Sequence, residues 1–201
     1  MTVTQRPRIA AVLSAVGVLL LGVLATTTGQ RAGAAAAAPA PARSLARTAL
    51  TCALQTAPGR PITFRPSVTG RLRQVSATGT VLLDRCTSPD GSQRGVRSGR
   101  LVLHGAGMAN CLTADRLEGS GTITWYHGWD RRGYKAGTTR FTPAGRGSGY
   151  TPADAFLSGN AVAGRMAHRH VHGRAVPTAD VTGCAARGLR AVAGRGNISF
   201  G

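Results

Sequence analysis

The 201-residue chain is short of acid: seven Asp and Glu stand against 25 Lys and Arg, and only Lys135 among the basic residues is a lysine. With so few carboxylates and none in an evident pair, a two-carboxylate glycosidase is disfavoured. Aromatic residues make up 4% of the chain, yet both Trp and two of the three Tyr lie between Trp125 and Tyr134. Cysteine is limited to Cys52, Cys86, Cys111 and Cys184, with no C-x-x-C, so a zinc cage lacks its usual spacing. The G-x-S-x-G and H-E-x-x-H signatures are missing, and no cysteine sits in a catalytic context. The longest basic run is Arg131-Arg132. Arginines this dispersed do not form a specific nucleic-acid groove, which would need clustered cations with interleaved aromatics. Nor does any segment carry a capped helical period of 3.6 residues.

What is present begins with an export signal. Arg6 and Arg8 precede an apolar run from Ile9 to Ala25, and small residues follow around Ala32-Gly33-Ala34. That order of charged, apolar and small-residue regions reads as a secretory signal peptide over residues 1–34, cut near Ala34. The run is a little short for a bilayer span, so no stable membrane span is expected after cleavage. Residues 35–47 are an Ala/Pro-rich stretch without core-forming side chains, read as a flexible leader. One folded domain over 48–201 remains. Cleavage removes Arg6, Arg8 and Arg31 and lowers the net charge from +18 to +15. The preference for Arg over Lys, with much Ala and Gly, fits the coding bias of a GC-rich bacterial genome. The field is nevertheless strongly positive and attracts polyanions at low salt.

Outside the cell an even cysteine count implies two structural disulfides. Three pairings are possible; Cys52–Cys86 and Cys111–Cys184 are preferred because they tie the opening strand and the C-terminal region back to the middle of the chain. Short alternating apolar runs between Gly, Pro, Ser and Asp clusters predict strands rather than helices. These fall at Leu50–Gln55, Ile62–Val68, Val75–Cys86, Arg100–Cys111, Thr122–Tyr126, Thr138–Thr142, Ala161–Met166, His168–Arg174 and Leu189–Phe200. Turns are expected at 57–59, 88–91, 118–119, 130–133 and 143–149. The predicted fold class is all-β: a single antiparallel β-sandwich or barrel of roughly eight to nine strands with two disulfides.

A G-x-G pattern recurs at Gly105/Gly107, Gly119/Gly121 and Gly194/Gly196. Glycines two apart leave one strand face bare, which admits a close neighbour or a bulge; a phosphate loop would need a following helix. Together with the Cys86-Thr-Ser-Pro-Asp-Gly91 turn, the G-x-G-x-Ile-x-Trp strand at 119–125 and the closing Cys184…Phe200 segment, this resembles small secreted, disulfide-bonded β-proteins of actinobacteria. The resemblance implies origin and fold class and transfers no catalytic residue.

Two clusters are candidate sites. His168, His170 and His172 would project from one face of an extended strand, where paired imidazoles can ligate zinc or copper. The neighbouring Arg165, Arg169 and Arg174 oppose a cation there, and no cofactor is expected. Trp129, Arg131, Arg132 and Tyr134 form an aromatic and basic hairpin suited to stacking and cation–π contact, whereas Trp125 continues the apolar face of its strand. The resulting expectation is a secreted, non-enzymatic binding or structural module at the cell envelope or in the medium. Its partners would be anionic envelope polymers or an extracellular protein. The alternative is a secreted inhibitor acting through a loop such as Thr87–Gly99 or Pro143–Gly159. A metal-dependent activity at the three-His strand comes third.

Overall fold

A computed structural model describes residues 48–144 and 157–201; the expected signal peptide and leader, and most of the Pro143–Gly159 loop, lie outside the described residues. Ten strands follow one another: β1 Leu50–Thr56, β2 Ile62–Val68, β3 Arg73–Thr87, β4 Ser98–Ala109, β5 Ala114–Tyr126, β6 Lys135–Pro143, β7 Gly159–Gly164, β8 His170–Pro177, β9 Leu189–Val192 and β10 Gly194–Phe200. A single 3₁₀ turn, Trp129–Arg131, lies between β5 and β6, and one helical turn, α1 Cys184–Arg187, precedes β9.

Antiparallel pairing runs β1-β10-β8-β7-β6-β5-β4-β3, and β3 also pairs with β1, which closes an eight-stranded barrel. Of the two sequence-level options, sandwich and barrel, the barrel is therefore the one formed. Closure removes the unpaired edges that an open sheet would present. The remaining strands, β2 and β9, pair with each other, and β2 lies on the N-terminal half of β3. Thus the long β3 divides its pairing: Val81–Thr87 faces β1 in the barrel wall, and Ser76–Thr78 faces β2.

Strand alternation decides what is inside. Leu50, Leu83, Leu101, Ile123, Trp125, Phe141, Ile198 and Phe200 are all essentially without solvent exposure. The intervening Arg100, Thr122, Arg140, His172, Arg174 and Asn197 face outward. This apolar-in, polar-out order is the reverse of a transmembrane barrel. Trp125 anchors one end of the core: its ring meets Phe200 edge-on at 5.5 Å, and its Nε1–H donates to the Thr139 hydroxyl at 2.8 Å. Two cavities lined by core side chains hold only about 10 Å³ each, so the interior there is filled.

The glycine pattern has a packing cause. Phe141 lies across from Gly121, and a Cβ there would overlap the phenyl ring. At Gly107 an added Cβ would meet the Asp115 carbonyl oxygen at 2.8 Å, because Arg116 (φ 51°) bulges out of β5 opposite it. The expected turn at Glu118-Gly119 is not a turn: both residues lie inside β5, which begins at Ala114 rather than Thr122. The single strand expected over 189–200 is broken at Ala193, where the chain leaves β2 and joins the barrel beside β1. Both preferred disulfides are formed, Cys52–Cys86 and Cys111–Cys184.

Candidate binding surface at one barrel end

Strand register gathers three connections at the same end of the barrel. Ser98 pairs with Tyr126 and Tyr126 with Lys135, while Thr139 pairs with Gly164. Consequently the segments 88–97, 127–134 and 165–169 all emerge there. They are cross-braced. His127 Nδ1 donates to the Gly95 carbonyl at 2.7 Å, Arg165 Nε donates to Gln93 Oε1 at 2.7 Å, and Arg169 stands 3.9 Å from the Asp90 carboxylate.

Within 88–97 the Ser-Pro-Asp-Gly turn folds on its own side chains. Asp90 Oδ1 accepts from the Ser92 hydroxyl at 2.7 Å and the Ser92 N–H at 2.8 Å. These two bonds, the hydroxyl first, hold the Asp90 carboxyl below its usual range; desolvation opposes them, and Ser88 and the Arg169 charge add lesser contributions in the same direction as Ser92.

Segment 127–134 is held more tightly than its sequence suggests. Asp130 (φ 56°) and Arg131 (φ 63°) are consecutive non-glycine residues in the left-handed region. Such residues persist only where surrounding contacts impose them. Here the buried Ser98 supplies those contacts: its hydroxyl donates to the Gly128 carbonyl at 2.7 Å and accepts the Arg131 N–H at 2.8 Å. The Arg131 guanidinium then closes on Asp84 in a half-buried ion pair. Arg131, expected to face a ligand, is therefore a positioning residue that turns inward.

What this bracing presents is Trp129, about half exposed, with the Arg97 guanidinium 5.4 Å from its ring centroid. One face of the indole is thus taken by a cation–π contact. Arg132 and Lys135 are exposed on the same hairpin, and Tyr134 is 88% exposed across from His127. Arg94, also exposed, belongs to the adjoining segment. None of Arg94, Arg97, Arg132 and Lys135 has a carboxylate partner among the described residues, where the only ion pairs within 4 Å are Arg131–Asp84 and Arg169–Asp90. Sequence reasoning found Trp129, Arg132 and Tyr134 but missed Arg94 and Arg97, which lie some thirty residues away and arrive only through the β4–β5 register.

The three histidines are not aligned. β8 begins at His170, two residues later than expected; His168 sits in the turn before it at φ 68°. Ala161 faces both His168 and Arg169: its carbonyl accepts the His168 N–H and its N–H donates to the Arg169 carbonyl. That extra residue is a bulge, which shifts His168 out of the alternation shared by His170 and His172. Among the described residues no group of three or more His, Cys, Asp or Glu side chains is placed to hold a metal ion, and no helix is long and apolar enough to cross a membrane.

No family model matches the chain, and neither a curated protein nor a solved structure matches it.

Proposed function

We propose that the protein is an exported, non-enzymatic binding module whose loop end grips anionic polymers of the cell envelope. The observation that carries this reading is the Arg97–Trp129 pair, fixed on a braced hairpin among Arg94, Arg132 and Lys135. The free indole face offers a stacking surface and the surrounding cations offer partners for acid groups. The extracellular setting rests on the N-terminal sequence and on the two disulfides, which persist in oxidising compartments.

The inhibitor reading is less well supported. Segment 88–97 is folded onto its own Ser and Asp side chains, with Val96 buried, rather than offered as an extended loop. A metal-dependent role would now rest on His170 and His172 without His168.

Co-sedimentation with isolated cell wall, across a salt series, tests the proposal. Trp129→Ala and Arg97→Ala should keep their fold and lose about tenfold in retention. Equal retention of wild type and both variants would overturn the reading.

A further inference from the structure

The opposite end of the molecule carries a second, unrelated surface. The β2–β3 turn (69–72) and the β4–β5 turn (110–113) project there side by side, since Arg73 pairs with Ala109 and the Cys111 N–H donates to the Thr69 carbonyl at 3.0 Å. Each tip carries an exposed leucine. Leu112 is 79% and Leu72 is 54% exposed. Loop tips are ordinarily polar and small, and two leucines side by side on adjoining tips make a contiguous apolar point. The other exposed large aliphatics among the described residues, Val102, Val162 and Val176, stand one to a strand on the barrel wall.

These tips are held rigidly. Asn110 Oδ1 accepts from the Leu112 N–H at 2.9 Å and the Thr113 N–H at 2.8 Å, which fixes the turn beneath Leu112. The Cys111–Cys184 disulfide ties the same turn to α1, and Gly70 lies against Ala185 of that helix. Arg71 adjoins Leu72 in the β2–β3 turn, and Arg116 on β5 and Arg187 on α1 are exposed on the elements that follow and brace the tips. Of the nearby carboxylates, Asp115 accepts the Arg116 N–H, whereas Asp180 accepts the Thr182 hydroxyl and N–H and also feels the Arg187 charge. The surface therefore combines a small apolar point with an excess of cations.

We propose that the paired tips dock on an anionic lipid bilayer, with Leu72 and Leu112 entering the boundary between headgroups and acyl chains and Arg71 and Arg116 lying against lipid phosphates. A shallow apolar insertion combined with basic residues is the two-signal arrangement that gives peripheral membrane attachment. A second copy of the chain is a poorer occupant: two leucine side chains fall far short of the ~800 Å² per partner of a stable interface.

The test is sedimentation of the full chain, with its disulfides intact, with vesicles of equimolar phosphatidylglycerol and phosphatidylcholine, and with vesicles of phosphatidylcholine alone. Binding is expected to the anionic vesicles only. The doubly substituted Leu72→Ser, Leu112→Ser protein should lose about tenfold in partitioning with an unchanged near-ultraviolet circular dichroism spectrum, and Arg71→Gln should lose less. Trp129→Ala should bind vesicles like wild type, which separates this surface from the loop end. Failure of wild type to bind, equal binding of the leucine double variant, or loss of binding in Trp129→Ala instead would each overturn the proposal. So would a concentration-dependent dimer that the leucine substitutions abolish.

Discussion

The Trp125 indole N–H and the Thr139 hydroxyl meet at 2.8 Å, with both residues wholly shielded from solvent. An indole buried this deeply has one donor to satisfy, and Thr139 on β6 is placed to accept it. Thr139→Val keeps the shape and removes the acceptor, so it should cost about 1–3 kcal/mol by leaving the N–H unpaired. Adding Trp125→Phe removes the orphaned donor but opens space beside Phe200. The two substitutions should therefore be strongly non-additive. Urea unfolding of the two single variants and the double variant measures the coupling; simple additivity would mean the bond contributes nothing.

Ser98 is the hinge of the loop end, because one hydroxyl serves both Gly128 and Arg131. Ser98→Ala should cost about 1–3 kcal/mol in unfolding free energy and release the two left-handed residues that follow Trp129. Retention on isolated cell wall should fall with it, even though Ser98 is buried and touches no ligand. Ser98→Thr keeps the hydroxyl and should recover retention more than stability. An Ser98→Ala protein that loses stability but retains full binding would show that the bracing is purely structural.

Acid stability should follow two aspartates. Hydrogen bonds from Ser92 lower the folded pKa of Asp90, and bonds from Thr182 lower that of Asp180, each from an ordinary value of 3.8. A depressed folded pKa means the stabilisation is fully present above the unfolded value and is lost as pH falls through the folded one. Their contribution should therefore be flat from neutral pH down to about 5 and decline below about 4. Asp90→Asn and Asp180→Asn should therefore lower the thermal midpoint on the neutral plateau and converge with wild type in acid, flattening the profile; a loss of the same size at every pH would contradict this origin.

Much of the barrel was legible because alternation fixes which side chains face inward, and all ten strands overlap the nine runs marked by that pattern, β9 and β10 sharing one. The disulfide partners were legible too, from compartment and chain order. The misreadings share a cause. Glu118-Gly119 looks like a turn in one dimension, but Gly119 lies against the backbone of β4, where only a glycine fits. Ala193 carries no mark of a break, since the switch from β2 to β1 depends on partners more than a hundred residues away in sequence. His168 occupies a left-handed position that favours glycine or asparagine, so its alternation with His170 and His172 was misleading. The loop-end surface was half visible: the hairpin announces Trp129, while Arg97 reaches it only through strand register.

The continuity of β3 has a mechanical consequence. Its fifteen residues form one strand from the barrel wall to the end capped by β2, bulged once at Arg85 (φ 51°) near its C-terminal end, a length of about 45 Å at the usual strand rise. The strand acts as a strut, bonded along one or both edges and unable to shorten without breaking the barrel. Whatever is held by the loops beyond Thr87 and whatever is held by the tips before Arg73 are kept apart at a set distance, so the molecule measures a gap as well as filling one.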